Sequence, residues 1–260
     1  MVCYFSPPQD TAKASAAAHL LANLGSIESS LTLYASIGDI KNIEALSDNI
    51  NSQDLRERQN AILAYLYARN GSHPEACAKA ALALTSSDKQ TVALATLAYA
   101  AAGWRTLAAQ NDPNPDNYIH LLELLSQLQE NRQAESEPWH VEAALEYALA
   151  SAYLLRNDPK SAEQNVLLLD RIYAKYFDHE GIDGQVYWKS VREQPNLQRI
   201  MERYAALFNA KSAEKHAELA QKNGNADEVL AWNRKAEHFY RAAQGQGYGA
   251  TKFLLDESKR

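Results

Sequence analysis

Asp178, His179, Glu180 and Asp183 crowd into one short stretch, DHEGIDG, and mixed carboxylate and imidazole ligands are the set a divalent transition metal would take. Their spacing matches no calcium loop, and the glycines already account for a turn, so residues 178–184 read as a loop rather than a metal centre. The seven histidines stand at 19, 73, 120, 140, 179, 216 and 238. None forms an HExxH or a short ligand pair, and scattered helix-surface histidines explain them. Glu135 and Glu137 are paired acids in an exposed connector where nothing would shift a carboxyl pKa. There is no Gly-rich phosphate loop, nucleophile elbow or local Cys/His signature. The expectation is a non-enzymatic protein with no cofactor and no metal. Only a convergent group of buried acids and a His, assembled from distant helices, would revive an enzyme.

Charge and apolar patterning narrow the partners. A formal net charge of −6, with 26 basic and 32 acidic residues interspersed, offers no basic stripe for nucleic acid. The longest uncharged apolar run, Thr91–Trp104, falls short of the roughly 20 residues that span a bilayer; no transmembrane segment is expected, and the run reads as a buried helix. Cys3 and Cys77 give neither a disulfide framework nor zinc spacing. Cys77 reads as a small apolar filler. Cys3 reads as an incidental terminal residue, and the sequence as given then points to the cytoplasm. The alternative is a processed form in which Cys3 carries a lipid anchor, in the periplasm or on an envelope. Asn70-Gly71-Ser72 fits a glycosylation sequon, but a helix corner accounts for all three residues.

The elements that must position any surface are helices. Alanine and leucine dominate, Gly is 10, Pro is 8, and alternating β-branched runs are absent. The clearest stretch is Arg58–Leu84, RQNAILAYLYARNGSHPEACAKAALAL. Leu63, Ala64 and Tyr67 share one helix face, Asn70-Gly71 supplies a left-handed cap, and Pro74 opens a second helix. On that helix Ala76, Ala80, Ala83 and Leu84 make a narrow apolar stripe for close backbone approach. Tyr34, Tyr67 and Tyr99 are each followed four residues on by Gly38, Gly71 and Gly103, at intervals of 33 and 32 residues. A period of that length means stacked helical pairs. Leu149, Ala150, Tyr153 and Ala162 repeat the relation of Leu63, Ala64, Tyr67 and Ala76.

These positions resemble the tetratricopeptide repeat, whose marker is a Leu-Gly/Ala-x-x-Tyr face, a turn Gly and an Ala nine after the Tyr. Residues 57–90 and 143–176 match it well. Ile43 replaces the small Ala in the first unit, and in the third, where Ala108 is in place, Asp112-Pro113 interrupts early. The C-terminal stretch resembles the related Sel-like repeat through Trp232, Lys235, Ala236, Ala242, Ala243, Ala250 and Leu254, with Gly245, Gly247 and Gly249 displaced. The resemblance implies an all-α, right-handed superhelix (α-solenoid) of antiparallel helix pairs, with about 11–13 helices.

Helices are expected at Thr11–Leu24, from Ser26 as N-cap to Ile37, from Asp39 to Ile50, and at Ser52–Asn70, His73–Thr85, Lys89–Gln110 and Pro115–Asn131. Further helices are expected at Pro138–Asn157, Pro159–Phe177, Val186–Glu193, Pro195–Asn223 with Asn209 as candidate break, Ala226–Gln244 and Gly249–Glu257. Residues 1–10 read as a flexible terminus and 11–260 as a single helical-repeat domain, hinged near 132–138.

By the resemblance, first helices of the pairs line a concave groove. Carried over, that groove shows Arg58, Ala61, Tyr65 and Arg69, then Ala93, Leu97 and Ala100, then Tyr147, Ser151, Leu154 and Leu155. Ala61 and Tyr65 replace the Lys and Asn of the family's carboxylate clamp, so the implied ligand is an apolar helix or extended peptide with acidic residues for Arg58 and Arg69. The expected function is a protein–protein interaction scaffold or adaptor holding a partner peptide or helix, by analogy within a bacterial envelope or secretion assembly. The alternative is a 1:1 sequestering regulator or immunity-type protein.

Overall fold

The computed structural model describes residues 10–111, 113–131, 139–177 and 195–244. The expected connector 132–138, loop 178–184, helices at 186–193 and 249–257, and the displaced C-terminal glycines lie outside these residues. Every regular element among them is helical. In chain order they are α1 (Thr11–Asn23), α2 (Ile27–Ile37), α3 (Ile40–Ala45) with a 3-10 turn at Leu46–Asn49, α4 (Gln53–Arg69), α5 (His73–Ala81) and α6 (Lys89–Ala108). Then come α7 (Asp116–Asn131), α8 (Trp139–Leu155), α9 (Pro159–Phe177), α10 (Pro195–Lys222) and α11 (Ala226–Gln244). The chain forms two compact units, Met1–Ala109 and Gln110–Arg260.

Short polar residues start the helices by taking up orphan N–H groups. Asp39 accepts from the Asn42 N–H at 3.1 Å, Ser52 Oγ from Leu55 N–H at 3.3 Å, and Asp88 from Thr91 N–H at 3.0 Å. Asp158, before Pro159, accepts from both the N–H and the hydroxyl of Ser161 at 3.1 and 2.7 Å. Ser26 holds the expected N-cap position of α2, but its side chain makes no capping bond.

The helix ends repeat more strictly than the starts. Tyr34, Tyr67 and Tyr153 each give their backbone carbonyl to the N–H five residues on, Asp39 at 3.0 Å, Ser72 at 2.9 Å and Asp158 at 2.9 Å. In between, the chain turns through positive φ at Gly38 (72°), Gly71 (83°) and Asn157 (61°). This is the Schellman closure, which satisfies carbonyls the last turn leaves orphaned. Ala220, Gly224 and Asn225 make the same closure after α10. Gly103 does not belong to the set: it is buried inside α6, which runs on to Ala108.

In the first unit α1 packs on α2, α2 on α3 and α4, α3 on α4, and α4, α5 and α6 on one another. Leu31, Ile43, Ile50 and Leu63 are its largest fully buried apolar side chains. Where α4, α5 and α6 meet, the core is nearly all alanine: Ala61, Ala64, Ala80, Ala83, Ala95 and Ala98, beside a second contact of Ala68, Ala76 and Ala102. In the second unit α8 packs on α7, α9 and α10, α9 on α10, and α10 on α11. Lys222 Nζ reaches Asn157 Oδ1 at 3.3 Å, so the C-terminal corners of α8 and α10 lie together and the two helices run the same way.

Two helix ends and one candidate break differ from expectation by more than two residues. The helix from Asp39 does not run to Ile50 but tightens after Ala45, where the Leu46 N–H bonds the Ile43 carbonyl, which also accepts from Gln59 Nε2 at 2.6 Å. The turn lets Leu46 and Ile50 both enter the core, at 4% and 2% exposure. The helix expected at His73–Thr85 stops at Ala81, because Ala83 N–H bonds three residues back, to Ala80, ahead of the turn-forming Thr85-Ser86-Ser87. α10 passes through Asn209 without a break. Leu207 and Ala210 are buried there against Tyr240 and Ala243, and that packing outweighs an asparagine's helix penalty of under about 1 kcal/mol.

Candidate interaction surface

The expected surface residues divide by burial. In the first unit Arg58 is half-exposed and its guanidinium pairs with the carboxylate of Glu28 on α2. Arg69 is exposed, while Ala93 and Leu97 on α6 are half-buried. Tyr65 is half-buried, packed against two of the unit's apolar clusters; burial pushes its phenol up, with the Arg69 charge pulling the other way. Ala61 is 0% exposed and belongs to the alanine seam, so it can set the helix spacing but cannot touch a ligand. Ala100 is likewise interior.

In the second unit Ser151 and Leu154 are buried, at 3% and 6% exposure, and the Ser151 hydroxyl donates back to the Tyr147 carbonyl at 2.8 Å. Tyr147 and Leu155 are half-buried. The Tyr147 ring faces two cations of α10, Lys215 Nζ at 4.5 Å and Lys211 Nζ at 5.9 Å from its centroid. Lys215 is 1% exposed and bonds both oxygens of Glu218, at 2.9 and 2.7 Å. Burial pushes its ammonium down, and Glu218 and Glu214 pull it back. Lys211 pairs with Glu214 at 2.9 Å, and that carboxylate also accepts from the Tyr240 hydroxyl at 2.6 Å.

Two features carry chemistry that spacing alone did not reveal. Tyr67 and Tyr153 each donate their hydroxyl to a glutamate on the preceding helix, Glu44 and Glu123. Tyr67 is pushed up to about 12 chiefly by that hydrogen bond, and Tyr153 to about 12 by burial and then by its bond to Glu123. The second feature joins α9, α10 and α11. Asp170 accepts from Ser212 Oγ at 2.6 Å and meets His216 Nε2 at 2.9 Å. The His216 ring stacks on Trp232 at 4.1 Å, and Lys235 Nζ lies 4.4 Å from the Trp232 ring centroid. Burial raises the Asp170 carboxyl, but the bonds from His216 and Ser212 outweigh it and hold it below the usual range.

Ser212, His216 and Asp170 are the residue types of a hydrolytic triad in the wrong order of contact. A nucleophilic serine must give its proton to the imidazole while the carboxylate holds the other ring nitrogen. Here the carboxylate stands between the two, so the serine is tied to the acid and the group fastens α9 to α10. Its one sequence signal is Ser212 and His216 four apart on one helix face.

Cys77 is free and half-buried, its Sγ 3.9 Å from Thr106 Oγ1, and burial pushes its thiol up, away from reactivity. Among the described residues no group of His, Cys, Asp and Glu side chains converges to hold a metal ion, and no helix is long and apolar enough to cross a membrane. Asp178, His179, Glu180, Asp183, Glu135 and Glu137 lie outside those residues, as does Cys3. No family model, curated protein or solved structure significantly matches the chain.

Proposed function

We propose that the chain is a helical-repeat scaffold of tetratricopeptide type, an α-solenoid whose first helices form the face that receives a protein segment. The observation that carries this is the contact of first helix with first helix in both units, α2 with α4, α4 with α6, and α8 with α10. Each of those joints is also contacted by a second helix, α3, α5 and α9 in turn. Stacking of this kind buries one face of every pair and leaves a long surface better suited to protein partners than to small molecules.

On the first unit the accessible part of that face is Arg58, Tyr65, Arg69, Ala93 and Leu97. Its mixture of an aromatic ring, small apolar groups and two guanidinium groups suits an apolar helix or extended peptide with acidic neighbours. Arg58 already holds Glu28, so an acidic ligand residue would compete with an internal partner there and meet Arg69 without that cost.

A scaffold binds two different proteins at once, whereas a sequestering regulator forms a 1:1 complex that abolishes its partner's activity. Affinity capture from native extract followed by mass measurement of the intact complex separates them. A ternary mass supports the scaffold; a binary complex with an inactivated partner supports the regulator. Recovery of the chain alone, at high protein concentration and low salt, contradicts both.

A further inference from the structure

The two halves of α11 are held in different ways. The second is anchored by burial: Ala236, Tyr240 and Ala243 are interior, the last two against Leu207 and Ala210 of α10, and the Tyr240 hydroxyl donates to Glu214 at 2.6 Å. In the first half, residues 226–235, none is buried, and only Val229 and Trp232 are half-buried. Trp232 meets α10 through a titratable group, its indole stacked on the His216 ring at 4.1 Å and 10° between planes. The same ring reaches α9, with Nε2 2.9 Å from Asp170 Oδ2.

We propose that His216 is a proton-operated latch, whose imidazolium, bonded to Asp170 and stacked on Trp232, clamps the first half of α11 onto α9 and α10 and relaxes when the proton leaves. Both contacts respond to that proton in the same sense. A hydrogen bond between ionised groups is roughly twice as strong as a neutral one, and an indole face attracts a cation where a neutral ring only stacks. Charge reaches the ring from two neighbouring helices. Asp170 comes from α9, and its carboxyl, held below the usual range, stays ionised while a histidine titrates. Lys235 comes from α11, 4.4 Å from the Trp232 ring centroid, and opposes the imidazolium; the carboxylate, in direct contact, outweighs it. From α8, Tyr147 faces Lys211 and Lys215. On α10 the residues one turn to either side, Ser212, Ala213, Leu219 and Ala220, carry no charge. The latch is therefore closed while the ring is charged and opens as pH rises through its titration. The proposal rests on α9, α10 and α11 and is independent of the scaffold reading.

Amide hydrogen exchange of the full chain, expressed as protection factors, tests it at about pH 5.5 and about pH 8, either side of the ordinary histidine transition. Protection of residues 230–235 should fall by about threefold or more between them, as loss of a charge-assisted bond and a cation–aromatic contact implies. The anchored residues 236–243 should change by less. His216→Gln keeps a neutral donor for Asp170 and should show the weaker, high-pH protection at both values, with helicity unchanged. The indole is a second reporter: a stacked imidazolium quenches tryptophan emission, so wild-type emission should rise over the same interval and that of His216→Gln should not. Equal protection of residues 230–235 at the two pH values, an equal loss in both halves of α11, or a pH response that survives in His216→Gln overturns the proposal.

Discussion

The hydroxyl of Tyr67 donates to the Glu44 carboxylate at 2.6 Å, linking α4 to the helix before it, and Tyr153 does the same to Glu123. The bond couples folding to pH with a definite sign. The folded phenol of Tyr67 is pushed up to about 12, above an ordinary tyrosine near 10. Its stabilisation is therefore complete below about pH 10 and lost as pH rises through about 12. Tyr67→Phe should cost about 1 kcal/mol at pH 8, and the gap to wild type should close by about pH 12. Urea denaturation at a series of pH values checks it; a gap independent of pH would deny the bond its role.

Ala76 is 0% exposed between Ala68 and Ala102. Ala76→Leu adds a branched side chain where three helix backbones approach closely, and should lower stability by roughly 1–3 kcal/mol through overpacking. Thermal or urea unfolding reads this directly. Unaltered stability would mean that α4, α5 and α6 do not meet at this residue.

The corners separate residue from backbone. Gly71 turns at φ 83° with nothing within 4 Å of an added Cβ, so Gly71→Ala should cost about 1 kcal/mol from conformation alone. Asn157 turns at φ 61°, and Asn157→Gly should be neutral or stabilising by a few tenths of a kcal/mol, less what its contact with Lys222 contributes. Equal losses at both sites would put the effect in side-chain contacts instead.

Asp170 titrates the other way from Tyr67. Its carboxyl is held below the usual range by His216 and Ser212 against the opposing effect of burial, so its stabilisation is present above the ordinary aspartate range and lost as pH falls through the lowered value. Asp170→Asn should flatten the acid limb of the stability curve below the ordinary aspartate range, with Ser212→Ala giving part of the effect. Identical acid limbs in wild type and Asp170→Asn would show that the α9–α10 link is not ionic.

Much of the fold is legible because its punctuation is chemical. Pro159 and the Asn223-Gly224 corner bound their helices within a residue of expectation, since proline fits only a first turn there and glycine favours the left-handed closure. Interrupted helices were harder: at Ala45 the path is decided by Gln59, a buried side chain sixteen residues on, and at Asn209 by Tyr240 and Ala243 on another helix. The surface was legible only in part. Arg69 is exposed while Ala61, Ser151 and Leu154 are buried, a difference that spacing along one helix does not reveal. The glutamate acceptors of Tyr67 and Tyr153 escaped notice for the same reason, standing 23 and 30 residues away.

Site-specific photocrosslinking tests the proposed receiving face most directly. A photoreactive phenylalanine analogue placed singly at Arg69, Leu97 or Leu82, with extract added before irradiation, reports which face meets a partner. Covalent adducts from positions 69 and 97, with none from Leu82 at the C-terminal cap of α5, are the expected result. Adducts from Leu82 alone would contradict it and move the partner to the opposite side of the first unit.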